Sequence, residues 1–191
     1  MTLRRFNNML SMVVIVLCLY VLLAPLFPQA AFWWRKSVVK KSPPLVTAAE
    51  GKGPEVIPAQ DTLVIPRLQM QQVVHENKNP QWGLAKGVWH DPKSKTPGAG
   101  GNTVLTGHRF TYAGAAVFYH LDKLQVNDEL IVYWGKKKYI YRVQTVRVVS
   151  PTEGAAIAAT QDETLTIYTC TPLITARNRL VVTAKPVEEA Q

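Results

Sequence analysis

From Met9 to Phe27 the chain reads MLSMVVIVLCLYVLLAPLF, nineteen residues without a charge. As a helix rising 1.5 Å per residue, such a run spans roughly 28 Å, close to the hydrocarbon thickness of a bilayer. It predicts a single transmembrane anchor over residues 9–30, preceded by a short N-terminal segment, 1–8. The run is longer than the apolar core of a signal peptide, and Phe27-Pro28-Gln29-Ala30 offers no small-x-small cleavage site. Trp33 and Trp34, followed by Arg35 and Lys36, fit an interfacial belt. Residues 31–60 then mix proline, glycine, alanine and charge without a sustained period, which predicts an interfacial segment and a tether.

Near Asp61 the pattern changes to short apolar runs. Thr62 to Pro66, Gln69 to Val74, Thr103 to Thr106, Glu129 to Trp134, Tyr139 to Val149, Thr164 to Thr169 and Arg179 to Ala184 all read as strands. Tyr139, Tyr141 and Val143 alternate with Ile140, Arg142 and Gln144, as in a half-buried strand. Gly135-Lys136-Lys137-Lys138 before them reads as a hairpin tip. Helical signal is confined to Val117–Leu124 and Ala155–Thr160. Many short strands with few helices predict an all-β domain, a closed or nearly closed barrel over 61–186 with one or two short helices and a tail at 187–191. Closure would hide the strand edges.

The formal net charge of +9 raises the question of nucleic acid, and its distribution answers it. Six basic residues, Arg4, Arg5, Arg35, Lys36, Lys40 and Lys41, precede Glu50, the first acid. Residues 42–191 hold the other 16 basic side chains against 13 acids, a net of only +3. The excess thus flanks the apolar run, as at a membrane surface. The lysine run at 136–138 has no interleaved aromatics, so no nucleic-acid partner is expected.

Two cysteines occur, Cys18 within the apolar run and Cys170 near the C-terminus. The membrane boundary would separate them, so Cys170 is expected to be either a buried inert thiol or a nucleophile. It closes a strand-like run, and Pro172 blocks that strand from continuing. His108 likewise follows a strand-like run, with Gly107 giving the backbone room to turn. His75 and His90 lie in loop-like sequence, and His120 falls on the predicted short helix. Arg179 opens the last strand, with Arg177 on the same face if that strand begins early.

Individually these residues have ordinary structural explanations. Together, in the order histidine, cysteine, arginine, they resemble the sortase family. Thr106-Gly107-His108-Arg109 is similar to the family's histidine motif, and Thr166-Ile167-Tyr168-Thr169-Cys170 to its Thr-Leu-x-Thr-Cys motif. Arg179-Leu180-Val181-Val182 is similar to its arginine strand. Pro97-Gly98, Gly101-Asn102 and Leu124 to Leu130 also follow the family pattern, and the resemblance runs from about Asp61 to Ala184.

The resemblance implies an eight-stranded sortase-type β-barrel and an extracytoplasmic cysteine transpeptidase of a Gram-positive-type cell membrane. Its substrates would be secreted proteins bearing an LPxTG-like sorting signal. Its acceptor would be an amine on a peptidoglycan precursor or a pilin lysine. Cys170 would attack as thiolate, His108 would move protons, Arg179 would stabilise the oxyanion or hold substrate backbone, and Thr169 would assist at the substrate. No metal or organic cofactor is expected, and Glu153, Asp162 and Glu163 are too few for a calcium site. Charge flanking the apolar run does not place the C-terminal side outside; the implied function does. The Tyr-Gly pair that follows Thr-Pro in pilin-polymerising members is missing after Thr171-Pro172, no Asp-Pro-aromatic lid stands in the tether, and no second apolar helix is expected at the C-terminus. These departures disfavour pilus assembly. An L,D-transpeptidase would have its histidine close before the cysteine and arginine directly after it, unlike this chain. A catalytically silent, membrane-tethered barrel module would be favoured by loss of one of the three residues, and all three are present.

Overall fold

A computed structural model describes residues 3–23, 57–111 and 114–187 of the chain. The expected tether lies largely outside the described residues, as does most of the expected tail. The first described unit is a helix, α1 (Leu3–Leu23). Its stretch Arg4–Leu23 is the one helix among the described residues long and apolar enough to cross a membrane.

The second unit is a β-barrel. Its strands are β1 (Thr62–Ile65), β2 (Met70–Glu76), β3 (Val88–His90), β4 (Asn102–Thr106), β7 (Glu129–Trp134), β8 (Lys137–Val149), β9 (Thr164–Thr171) and β10 (Asn178–Pro186). They close in the order β1-β2-β3-β4-β9-β10-β8-β7. A two-stranded ribbon, β5 (Phe110–Thr111) with β6 (Gly114–Ala115), stands apart. Pairing is antiparallel except for β2 with β3 and β4 with β9. The expected eight-stranded barrel is therefore present, and closure leaves no open edge in its sheet among the described residues.

Burial explains which apolar patterns alternate. In β8, Tyr141 and Val143 are buried while Arg142 and Gln144 are exposed. In β7, Leu130 and Val132 join the main core, whereas Ile131 and Tyr133 join Val64 in a second cluster. Both faces of that strand are covered, so its sequence is continuously apolar. The β7–β8 turn is tighter than the sequence suggested. Only Gly135 and Lys136 form it, at φ 55° and 65°, and Lys137 and Lys138 are already in β8. Two consecutive positive φ values match the right-handed strand twist of a two-residue hairpin.

Several expectations are corrected. A seven-residue helix, α2 (Pro80–Lys86), and β3 occupy sequence read as loop. Asn79 caps α2, its side chain accepting hydrogen bonds from the backbone N–H groups of Gln81 and Trp82, and Pro80 supplies the first turn. His75 and His90 are strand residues, in β2 and β3. The expected helix at 117–124 contracts to a single 3₁₀ turn, Leu121–Lys123. A tertiary bond takes one of its backbone groups, since Arg109 Nε donates to the Tyr119 carbonyl that a helix would offer to Lys123, while Phe118 N–H, unpaired in a helix beginning there, donates to the His108 carbonyl. The second expected helix is also one 3₁₀ turn, Gly154–Ile157.

Candidate active site

The parallel pair β4 and β9 builds the floor of the site. Its register runs from Asn102 opposite Thr164 to Thr106 opposite Tyr168. Leu165 and Ile167 of β9 point into the main core. Tyr168 packs with Val149, Ala156 and Val181 in a separate cluster. Strand alternation then puts Cys170 on the outward face, with Tyr168. The thiol accordingly sits on the barrel wall and not at its mouth, and β9 continues one residue further, to Thr171.

On the other side of β9, β10 places Arg179 directly opposite Cys170 and Val181 opposite Tyr168. β10 begins at Asn178, so Arg177 lies before the strand and is exposed. Arg179 Nη1 donates to the carbonyls of Ala176 and Asn178, each at 3.0 Å, which holds the guanidinium at the start of β10. His108 stands two residues beyond the end of β4 and is exposed, while Cys170 and Arg179 are partly buried.

His108, Cys170 and Arg179 line one cleft of about 630 Å³, with Thr106, Gly107, Tyr168 and Thr169 as floor. Lys78, Pro80, Leu84, Trp89, Asp91 and Lys93 supply the facing wall. The three residues singled out in the sequence thus share one surface, although 61 residues of chain lie between the histidine and the cysteine. Burial holds the Tyr168 phenol above the ordinary tyrosine value, with Asp91 adding to this and Arg179 opposing it. His108 also lines a neighbouring cleft of about 710 Å³, with Gln72, Leu84, Lys86, Gly87 and Thr111 among its walls.

Thr169 lines the first cleft, and its side chain is 1% exposed. Its hydroxyl donates to the Gly107 carbonyl at 2.8 Å. Gly107 is needed for space and not for turning, because its φ is not in the positive region. A Cβ there would stand 2.7 Å from Val117 Cγ1 and 2.9 Å from Phe118 Cδ2. The acids considered for calcium are engaged separately. Glu153 pairs with Arg147, Glu163 accepts from Tyr141 and Gly98, and Asp162 faces Lys185.

One residue of the histidine motif does more than the sequence revealed. Arg109 is 8% exposed and pairs with Asp122 at 3.1 Å while donating to Thr171 Oγ1 at 2.7 Å. A buried guanidinium requires such partners. Its role as an internal brace depends on contacts distant in sequence.

Residues 63–187 match the family model described as Sortase domain. The chain is 30% identical over 98 residues to Sortase SrtE1 of Streptomyces coelicolor, a match covering 47% of this chain and 27% of that protein. It is 28% identical over 120 residues to Sortase D of Bacillus subtilis, covering 62% of this chain and 58% of that one. The chain thus spans about a quarter and a little over half of the length of these curated relatives. Its fold matches the crystal structure of sortase C-1 from Actinomyces oris with a TM-score of 0.62, at 27% identity, covering 68% of this chain and 73% of that chain. The three names carry the class letters E, D and C, so the family is shared while the class is not.

Proposed function

The chain belongs to the sortase family, and on that premise we propose that it is a membrane-anchored cysteine transpeptidase acting on secreted proteins with an LPxTG-like sorting signal. The family and the fold support transpeptidase-type chemistry. The observation that carries the residue assignment is the single cleft lined by Cys170, His108 and Arg179, with Cys170 and Arg179 cross-strand neighbours.

In this reading the Cys170 thiolate attacks the scissile carbonyl, on the threonine of the signal. The tetrahedral oxyanion is met by Arg179 and by a backbone N–H near Cys170. The C–N bond breaks as His108 gives a proton to the departing amine, leaving a thioester on Cys170. An acceptor amine, on a peptidoglycan precursor or a pilin lysine, then loses a proton to His108 and attacks the thioester. A new amide forms, and the thiolate leaves. The thioester conserves the bond energy of the cleaved amide, so the exchange needs no external energy source. The acceptor must reach His108 without displacing the bound acyl donor, and the second cleft lined by His108 suits that need. The apolar stretch of α1 serves as the anchor, and residues 37–191 lie outside the cytoplasm, where the substrates are.

Incubation of the full chain with sorting-signal peptides, followed by mass spectrometry, tests this directly. The expected result is an acyl adduct on Cys170 that an added amine discharges into a new amide. Cleavage without any adduct at Cys170, or no reaction with any such peptide, counts against the proposal.

A further inference from the structure

The β4–β9 ladder ends at Thr106 and Tyr168 with a constant separation of 62 residues between partners. Beyond it, Gly107, His108 and Arg109 belong to no strand, so main-chain pairing no longer fixes their register against β9. Two side-chain bonds continue the same separation. Thr169 Oγ1 donates to the Gly107 carbonyl at 2.8 Å, and Arg109 Nη1 donates to Thr171 Oγ1 at 2.7 Å, each pair 62 residues apart. They bracket His108 and Cys170, whose separation is also 62 residues.

The second bond reaches further than the first. Besides Thr171, Arg109 binds the Tyr119 carbonyl through Nε at 3.3 Å and Asp122 through Nη2 at 3.1 Å. The His108 carbonyl accepts from Phe118 N–H at 3.0 Å, in that same segment. Bonds to Tyr119 and Asp122 alone would secure the segment against the loop. The bond to Thr171 does something else, since it ties the loop to the residue following the nucleophile. A guanidinium can make these contacts together because its donors diverge in one plane, which an ammonium cannot reproduce.

We propose that Arg109 and Thr171 form a positioning clamp that carries the β4–β9 register past the end of the ladder and holds His108 opposite Cys170. The proposal rests on the cysteine–histidine reading above. Neither residue touches substrate; both act through His108.

Because the thiolate is the reactive form, alkylation of Cys170 reports how well the histidine supports it, without needing any peptide substrate. The test is a double-mutant cycle on the full chain in detergent. Iodoacetamide labelling at neutral pH is followed by mass spectrometry of the Cys170 peptide. Thr171→Val keeps the shape of the side chain and removes the hydroxyl. It should slow labelling about tenfold when His108 is present, and should add nothing in the His108→Ala background, a coupling of the size expected for residues acting as one unit. Thr171→Ser should restore the rate. Arg109→Lys carries the same cycle if Thr171→Val fails to fold, as judged by thermal unfolding. Equal slowing in both backgrounds would overturn the clamp while leaving the reading intact. A labelling rate indifferent to His108→Ala would remove the cysteine–histidine pair and the clamp with it.

Discussion

Gly107→Ala tests whether the histidine loop is seated as tightly as its packing implies. The backbone at Gly107 is not left-handed, so alanine incurs no conformational penalty there, and any effect must be steric. The added methyl would lie 2.7 Å from Val117 Cγ1 and 2.9 and 3.0 Å from two ring carbons of Phe118. Ordinary carbon–carbon contacts fall at about 3.5–4.0 Å, so relief requires movement of roughly 1 Å. Phe118 is fully buried in the main core and has nowhere to retreat. The loop must give way, or the core must accept overpacking of about 1–3 kcal/mol. For a barrel of this size that corresponds to a fall in Tm of roughly 5–10 °C. Displacing His108 by about 1 Å should lower turnover on the order of 10²-fold. Thermal unfolding by circular dichroism gives the first quantity, and peptide turnover well below both transitions gives the second. Phe118→Leu in the Gly107→Ala background should recover part of the turnover by opening space. Unchanged Tm together with unchanged turnover would refute the packing argument. Lost stability with intact turnover would mean that the core yields and the loop does not.

Cys170→Ala should abolish cleavage and transfer in a turnover assay while leaving thermal unfolding nearly unchanged, and Cys170→Ser should not rescue activity, because a hydroxyl ionises far less readily than a thiol. Arg179→Lys should lose on the order of 10²-fold in kcat/KM if a forked donor is required, whereas Arg177→Ala, outside β10, should be tolerated. Tyr141 and Tyr168 both titrate above the ordinary tyrosine value, chiefly because burial disfavours the phenolate. Their protonated forms stabilise the folded state fully below about pH 10, and that contribution is lost as pH rises beyond it. Alkaline denaturation should therefore be shallower in Tyr141→Phe. The full chain should sediment with membranes, a truncated protein starting near Lys40 should be soluble, and protease added to spheroplasts should digest residues 37–191; protection there would contradict the assigned topology.

The strands that alternate, such as β8, and those that are apolar on both faces, such as β7, were legible because local pattern and burial agree. Helix α2 was signalled by Asn79-Pro80, a cap followed by a first-turn proline, and went unread because the helix is so short. β3 carried no comparable signal. Its three residues are fixed by a parallel partner, β2, reached through α2, and by β4. At 117–124 local helical signal was real, but Arg109 claims the Tyr119 carbonyl, and the Lys123 N–H that a helix would pair with it bonds the His120 carbonyl instead. The motifs singled out His108, Cys170 and Arg179 without revealing that the three line one cleft. That Cys170 faces outward, and that Arg109 is a brace, follow only once β4 is known to lie beside β9.

The cleft divides along the chain in an uneven way. Its floor is drawn from β4, β9, β10 and the residues just past them, whereas the facing wall comes from one continuous stretch, Lys78 to Lys93. Changes in α2 and in the turn after β3 can alter what enters the cleft while leaving the barrel strands, β3 among them, in place. On the proposed reading, exchange of α2 between relatives is thus a route by which preference for a peptide could drift, or be transplanted, without rebuilding the barrel beneath it.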